Sequence, residues 1–120
     1  MKLAFTTEGK DPGARLDPSF GRAPAFLLYD EETDAFELVS NVQNLNAAQG
    51  AGIQAAQTLV KVGAGALITG HCGPKAFRVL AAADVQVFNT DAPTVQEALR
   101  RFRAGTLVAA AEANIESHWV

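Results

Sequence analysis

Residues 63–80, GAGALITGHCGPKAFRVL, constrain the fold more than any other stretch, because they predict a strand, a tight turn and a helix in immediate succession. Within them, residues 66–69 form a short apolar run bounded by glycines, which is typical of a buried strand. Pro74 suits the first position of a helix, where a missing N–H costs little. His71 and Cys72 then lie on the turn, where the first N–H groups and the dipole of the helix favour anions.

The central turn, which we define as residues 70–73, carries two residue types that bind metals. A thiolate and an imidazole suit soft or borderline metals. Two ligands nevertheless fall short of the four in a structural zinc site, and GHCGPK lacks the spacing of a Walker loop. A lone cysteine is commonly a small buried hydrophobe, and a redox role lacks the second cysteine of a C-x-x-C motif. The turn therefore predicts either a metal ligand at Cys72 or a cysteine that only packs.

Composition bounds the class of protein. The chain has 120 residues, of which 48% are hydrophobic, and this is enough for one domain, residues 1–120, with a real core. A single cysteine excludes an internal disulfide framework, and we find neither a signal sequence nor an apolar run of membrane-spanning length, so we expect a reducing cytoplasm. The formal net charge of −3 argues against nucleic acid as the main partner, since duplex binding relies on a cationic surface.

The first half of the chain predicts three strands. Residues 2–7, KLAFTT, read as the first strand, and residues 25–29 and 35–40 read as an antiparallel hairpin with an acidic tip. The tip, residues 30–34, is most simply a solvated loop. A divalent-cation site is the alternative, although the tip lacks the glycine and the ligand spacing of an EF-hand loop.

A long loop, residues 8–24, separates the first strand from the hairpin. It is dense in Gly, Pro, Asp and Ser, and long ordered loops of this kind often carry function. Arg15 and Arg22 within it either face an anionic ligand or lie in solvent. We expect this loop to be the most mobile internal segment and to lie beside the central turn.

Apolar residues at helical spacing predict three helices, each with its own start or stop signal. The first, IQAAQTLVKVG, ends at Gly63, and the second begins at Pro74. The third begins with a capping-box signature at Thr94 and ends before Gly105. A short strand, residues 85–88, lies between the second and third helices.

The resulting order is strand, strand, strand, helix, strand, helix, strand, helix. It predicts an α/β fold with a mixed five-stranded sheet that contains an antiparallel hairpin and has helices on both faces. The first, fourth and fifth strands should be parallel. Ligands in such sheets bind outside the carboxyl ends of the parallel strands, and the central turn lies at that rim.

Several spaced motifs cover nearly the whole chain: FGRAP at residues 20–24, GAG at 50–52, TGHCGPKAF at 69–77, VQEAL at 95–99 and AG at 104–105. Together they resemble the dinitrogenase iron–molybdenum cofactor accessory family. That family includes NifX, the core domain of NafY and small related proteins such as the orange protein of sulfate reducers.

The resemblance implies a ribonuclease-H-like fold of three layers, α/β/α, and a non-enzymatic protein that holds or carries a preassembled metal–sulfur cluster. The NifX and NafY members imply an iron–molybdenum cluster. The orange protein implies a molybdenum–copper sulfide cluster held without covalent bonds to protein. Members often have histidine before the Phe-Gly-Arg motif, whereas this chain has Ser19, so one potential ligand is absent.

The residues and the resemblance together predict a site for an anionic cluster at the central turn. Helix N-termini and basic side chains would supply positive charge, and soft ligands would contact the metal. The predicted cluster-binding residues are Arg22, Gly70, Gly73 and Lys75, and the predicted metal ligands are His71 and Cys72. Two binding modes follow, one with side-chain coordination and one in which charge and hydrogen bonds hold the cluster. A protein that donates or accepts the cluster is the expected partner, with no nucleic acid and no membrane.

Two functions from other classes compete with cluster binding. A nuclease is suggested by fold alone, and it would need converging carboxylates that residues 2–7 do not supply. A regulatory or interaction module would instead use the GAG and HCG loops to bind a partner or nucleotide. His118 and Trp119, in the tail 106–120, either return to the site or extend freely.

Overall fold

A mixed five-stranded sheet forms the centre of the computed structural model, which describes residues 1–45 and 50–111. In spatial order the strands are β3 (Ala35–Ser40), β2 (Ala25–Asp30), β1 (Lys2–Thr7), β4 (Ala64–Thr69) and β5 (Gln86–Asn89). β1 pairs antiparallel with β2 and parallel with β4, and β4 pairs parallel with β5. β2 and β3 form the predicted antiparallel hairpin, so the mixed sheet is confirmed.

The three predicted helices are present, together with two short helical segments that were not predicted. A single helical turn is too short to show apolar periodicity in the sequence, and this explains both omissions. None of the helices in the described part of the chain has the length and apolar character needed to cross a membrane. The segments are a 3₁₀ turn (Phe20–Arg22), α1 (Val42–Leu45), α2 (Ala51–Lys61), α3 (Pro74–Ala82) and α4 (Val95–Arg103).

Helices cover both faces of the sheet, as predicted. Alternate strand residues such as Ala4 and Leu67 are buried under α2 and α3. Their neighbours, such as Phe5 and Ile68, are buried under α4. Because side chains on a strand alternate between faces and both faces are covered, the central strands carry runs of consecutive apolar residues rather than an alternating pattern.

The ends of the helices follow backbone signals that were only partly visible in the sequence. Gly63 and Gly105 follow α2 and α4 with φ of 82° and 74°, which confirms both predicted stops. Asp84 follows α3 in the same left-handed conformation, with φ of 60°, and this stop could not be predicted because the residue is not a glycine. The Val85 N–H then donates to Leu80 O at 2.9 Å, so Val85 belongs to the end of the helix and β5 begins one residue later than predicted.

The start of α4 satisfies half of the predicted capping box. The Glu97 N–H donates to Thr94 Oγ1 at 3.1 Å, as a cap requires. The Glu97 carboxylate accepts hydrogen bonds from Arg100 and Arg101. These guanidiniums hold the pKa of Glu97 down to about 2.

Candidate functional site

The second half of the long loop crosses the carboxyl end of the parallel strands, and we call residues 15–22 the strap. The His71 N–H donates to Pro18 O at 2.7 Å, and the Phe20 N–H donates to His71 O at 3.1 Å. The predicted position of the loop beside the central turn is therefore confirmed. Gly70 makes this contact possible, since a Cβ there would lie 2.5 Å from Pro18 O.

Further contacts fix the strap to the body of the protein. Thr6 Oγ1 donates to Asp17 O at 2.6 Å, and the Asp17 N–H donates to Thr6 O at 2.9 Å. The buried ring of Phe20 stacks on Phe26, with ring centroids 5.5 Å apart. The greater mobility of the long loop stays a prediction.

Two cavities lie on either side of the strap. The first cavity has a volume of about 650 Å³ and is lined by the 3₁₀ turn and the first residues of α2 and α3. The second cavity has a volume of about 750 Å³ and is lined by the other end of the strap and the segment that leads from β5 to α4. Arg22, Gly73 and Lys75 line the first cavity, whereas Gly70 and His71 line the second. The predicted site residues are thus divided between the two.

The N-termini of two helices line the first cavity. Gly50 caps α2 and Gly73 caps α3, and neither has a side chain that could accept a hydrogen bond from the first turn. The first N–H groups of a helix have no partner within it, and they carry the positive end of the helix dipole. Gly50 is required here for its conformation, because its φ is 82°. The arrangement suits an anion with several acceptor atoms.

Close packing of small residues brings these segments together. A Cβ on Gly21 would lie 3.3 Å from Gly52 Cα, and one on Gly52 would lie 3.5 Å from Ala76 Cβ. The 3₁₀ turn therefore rests directly on the start of α2, which in turn contacts the start of α3. Residues 50–52 were not among the predicted cluster-binding residues. Their GAG motif was a signal in the sequence, but it contributed only to the family resemblance and to the alternative of an interaction module.

Positive charge dominates the first cavity. Arg22 and Lys75 are exposed at its edge, and its lining residues in the described part of the chain include no carboxylate. Leu45 and Ile53 add apolar surface. A positive cleft with partly apolar walls raises the local concentration of anions.

The second cavity has mixed charge. Arg15 and Asp91 both line it, and the Asp91 carboxylate pairs with Arg101 at 2.7 Å. The hydrogen bond from Arg101 lowers the pKa of Asp91, so this carboxylate stays ionised. The second cavity is therefore less suited to an anionic ligand than the first.

Cys72 lies in the core rather than on either cavity wall. Its side chain is 1% exposed and packs in the cluster beneath α2 and α3. Burial raises the pKa of the Cys72 thiol to about 12, so at neutral pH it is protonated. This placement agrees with the alternative of a packing cysteine, and the role of His71 and Cys72 as metal ligands stays a prediction.

No group of three or more His, Cys, Asp or Glu residues is arranged to hold a metal ion within residues 1–45 and 50–111. This range includes the acidic tip. There Asp34 accepts a hydrogen bond from the Tyr29 hydroxyl and pairs with Arg103. His118 and Trp119 lie outside the described residues.

The family model and the similar proteins match this chain over most of its length, including the residues that line both cavities. The model of the dinitrogenase iron-molybdenum cofactor family matches residues 1–105. The orange protein (ORP) from Desulfovibrio gigas, solved in its apo form, is 43% identical with a TM-score of 0.92, and the match covers 95% of this chain and 96% of that chain. A candidate NifB protein from Thermotoga is 34% identical with a TM-score of 0.84, covering 97% and 98%. An uncharacterized protein from Methanocaldococcus jannaschii is 27% identical over 109 residues, 89% of each chain.

Proposed function

The chain belongs to the dinitrogenase iron-molybdenum cofactor family, and from this membership we propose that it is a non-catalytic protein that binds or carries a preassembled anionic metal–sulfur cluster. The first cavity is the proposed site. One observation carries this assignment: two helix N-termini without side-chain caps meet Arg22 and Lys75 around a cavity whose described lining includes no carboxylate.

Each part of the cavity has a role toward such a cluster. The first N–H groups of α2 and α3 donate hydrogen bonds to sulfide or oxide atoms at its surface. Arg22 and Lys75 neutralise its charge, and Leu45 and Ile53 contact its less polar faces. A volume of about 650 Å³ lies within the range of small-ligand pockets.

We propose that charge and hydrogen bonds, rather than side-chain coordination, hold the cluster. The buried, protonated Cys72 and the serine at position 19 support this mode. His71 borders the second cavity, on the other side of the strap, so it does not line the proposed site. Gly73 keeps the cap of α3 free of side-chain atoms, and Gly70 sets the path of the strap.

The proposed cluster contains molybdenum with copper or iron. The resemblance to the orange protein implies a molybdenum–copper sulfide cluster, and the name of the family supports an iron–molybdenum type. We further propose that residues 1–120 form one cluster-binding domain of the ribonuclease-H-like three-layer class. It would work in the cytoplasm and exchange its cluster with a donor or acceptor protein.

The test is elemental analysis of the natively purified protein together with its visible absorption spectrum. We expect molybdenum, with copper or iron, in fixed ratio to protein, and a strong visible band from sulfide-to-metal charge transfer. A colourless protein without stoichiometric metal, obtained from cells supplied with molybdenum, would contradict the proposal and favour a regulatory or interaction module.

A further inference from the structure

A buried network of amide groups lies behind the wall of the first cavity. Asn41 is fully buried, and Asn44 is 5% exposed. Asn41 Nδ2 donates to Ala23 O at 2.8 Å, while Asn44 Nδ2 donates to Asn41 Oδ1 at 2.6 Å and to Thr58 Oγ1 at 3.2 Å. The network thus joins the segment after the 3₁₀ turn, the end of β3, α1 and α2.

Buried amides are costly unless every polar atom has a partner, so a satisfied pair fixes one geometry more strictly than apolar side chains would. Here the amide network fixes the backbone next to Arg22. Phe20 before it and Ala23 after it are both buried, and the Ala23 carbonyl is held by Asn41. The Arg22 side chain itself is exposed and lines the first cavity.

We propose that Asn41 is a positioning residue for Arg22. Its amide holds the Ala23 carbonyl and accepts from Asn44, and so it fixes the direction from which the guanidinium enters the first cavity. The inference rests on the proposed function, since it assumes that Arg22 contacts the bound anion. Without the Asn41 amide, the Ala23 carbonyl loses its hydrogen bond, although the Asn41 N–H still donates to Pro24 O. The segment that follows Arg22 is then less ordered, and binding must supply the cost of ordering it.

The experiment is a double-mutant cycle with tetrathiomolybdate, a simple molybdenum sulfide anion, titrated into the intact chain and followed by its visible absorption. Arg22→Gln should weaken the affinity about tenfold, as loss of one charge-assisted hydrogen bond does. Asn41→Leu, which keeps the size of the side chain, should weaken it to a similar extent. The double variant should bind less than about twofold more weakly than Arg22→Gln alone, because the two residues act through one contact.

Two controls separate positioning from a loss of stability. Lys75→Gln should also weaken binding, but its effect should multiply with that of Asn41→Leu, because the amide network does not reach Lys75. Leu99→Ala destabilises the core on the opposite face of the sheet and should leave the affinity unchanged. If Asn41→Leu does not fold, Asn41→Ser enters the same cycle.

The outcomes distinguish the two proposals. Effects of Asn41 and Arg22 that multiply would overturn the positioning role while leaving the site in place. The positioning role is also overturned if Lys75→Gln weakens binding and Arg22→Gln does not. Unchanged affinity in both charge variants would instead overturn the first cavity as the site, and the proposed function with it.

Discussion

Burial decides the chemistry of Cys72. From the sequence, Cys72 is either a metal ligand or a packing cysteine, and a place next to a helix N-terminus would by itself lower the pKa of a thiol. In the structure the side chain points into the core, and the loss of hydration outweighs the dipole, so its pKa rises to about 12. Sequence position alone could not distinguish these cases, since two adjacent turn residues, His71 and Cys72, point to opposite environments.

The raised pKa predicts how stability depends on pH. In the unfolded chain the thiol loses its proton near its ordinary pKa of 9.0, whereas in the folded protein it keeps it until about pH 12. The unfolded state therefore binds fewer protons between these values, and the free energy of unfolding falls as pH rises through this window. Urea titrations at several pH values should show this fall in the wild type and a shallower one in Cys72→Ala.

Alkylation offers an independent check on the same thiol. Native Cys72 should react with iodoacetamide at neutral pH far more slowly than the urea-unfolded chain does, because reaction needs an exposed thiolate. Reaction of the native protein at the rate of the unfolded chain would contradict the buried placement.

Among the strands and helices, those marked by a residue pattern that extends over several positions could be predicted from the sequence. The strands from residues 2–7 and 35–40 and the cap at Thr94 were found where the pattern placed them. The position of the long loop beside the central turn was predicted, but the path of the strap between two cavities was not, because it depends on contacts between residues distant in sequence, such as Thr6 with Asp17. The division of the site into two cavities follows from that path.

The two glycines of the central turn should respond differently to substitution. A Cβ at Gly70 would lie 2.5 Å from Pro18 O, so Gly70→Ala must displace the strap. We expect a loss of about 1–3 kcal/mol in the free energy of unfolding, as for other overpacked sites. Gly73→Ala is the matched control, since a Cβ there meets nothing within 4 Å and should cost at most about 1 kcal/mol.

Urea denaturation of both variants measures the difference. Equal stability of Gly70→Ala and Gly73→Ala would mean that the strap does not pack against the central turn as described. Proteolysis within residues 8–24 should also become faster in Gly70→Ala alone, because the displaced strap exposes its backbone.

In the molecule as a whole, one rim gathers the features that matter for binding. The parallel strands β1, β4 and β5 end there, and ligands of open α/β sheets bind outside such ends. This much could be predicted from the order of strands and helices. The choice between the two cavities could not be predicted from that order, because it depends on Asp91, which gives the second cavity mixed charge.

In the proposed function, positive charge and helix N-termini in the first cavity hold an anionic metal–sulfur cluster. The sharpest test is retention of bound tetrathiomolybdate during gel filtration at low and high salt, compared between wild type, Arg22→Glu, Lys75→Glu, Cys72→Ala and His71→Ala. Arg78→Glu is the control, because it makes the same charge change one turn further along α3, outside the lining of the first cavity.

We predict that Arg22→Glu and Lys75→Glu lose the anion, while Cys72→Ala and Arg78→Glu keep it at low salt. High salt should weaken retention in the wild type as well, since it screens exposed charges. The opposite order, with loss in Cys72→Ala and salt-resistant retention in the charge variants, would contradict electrostatic binding and show coordination by Cys72. Full retention in every variant, including His71→Ala, would place the site elsewhere.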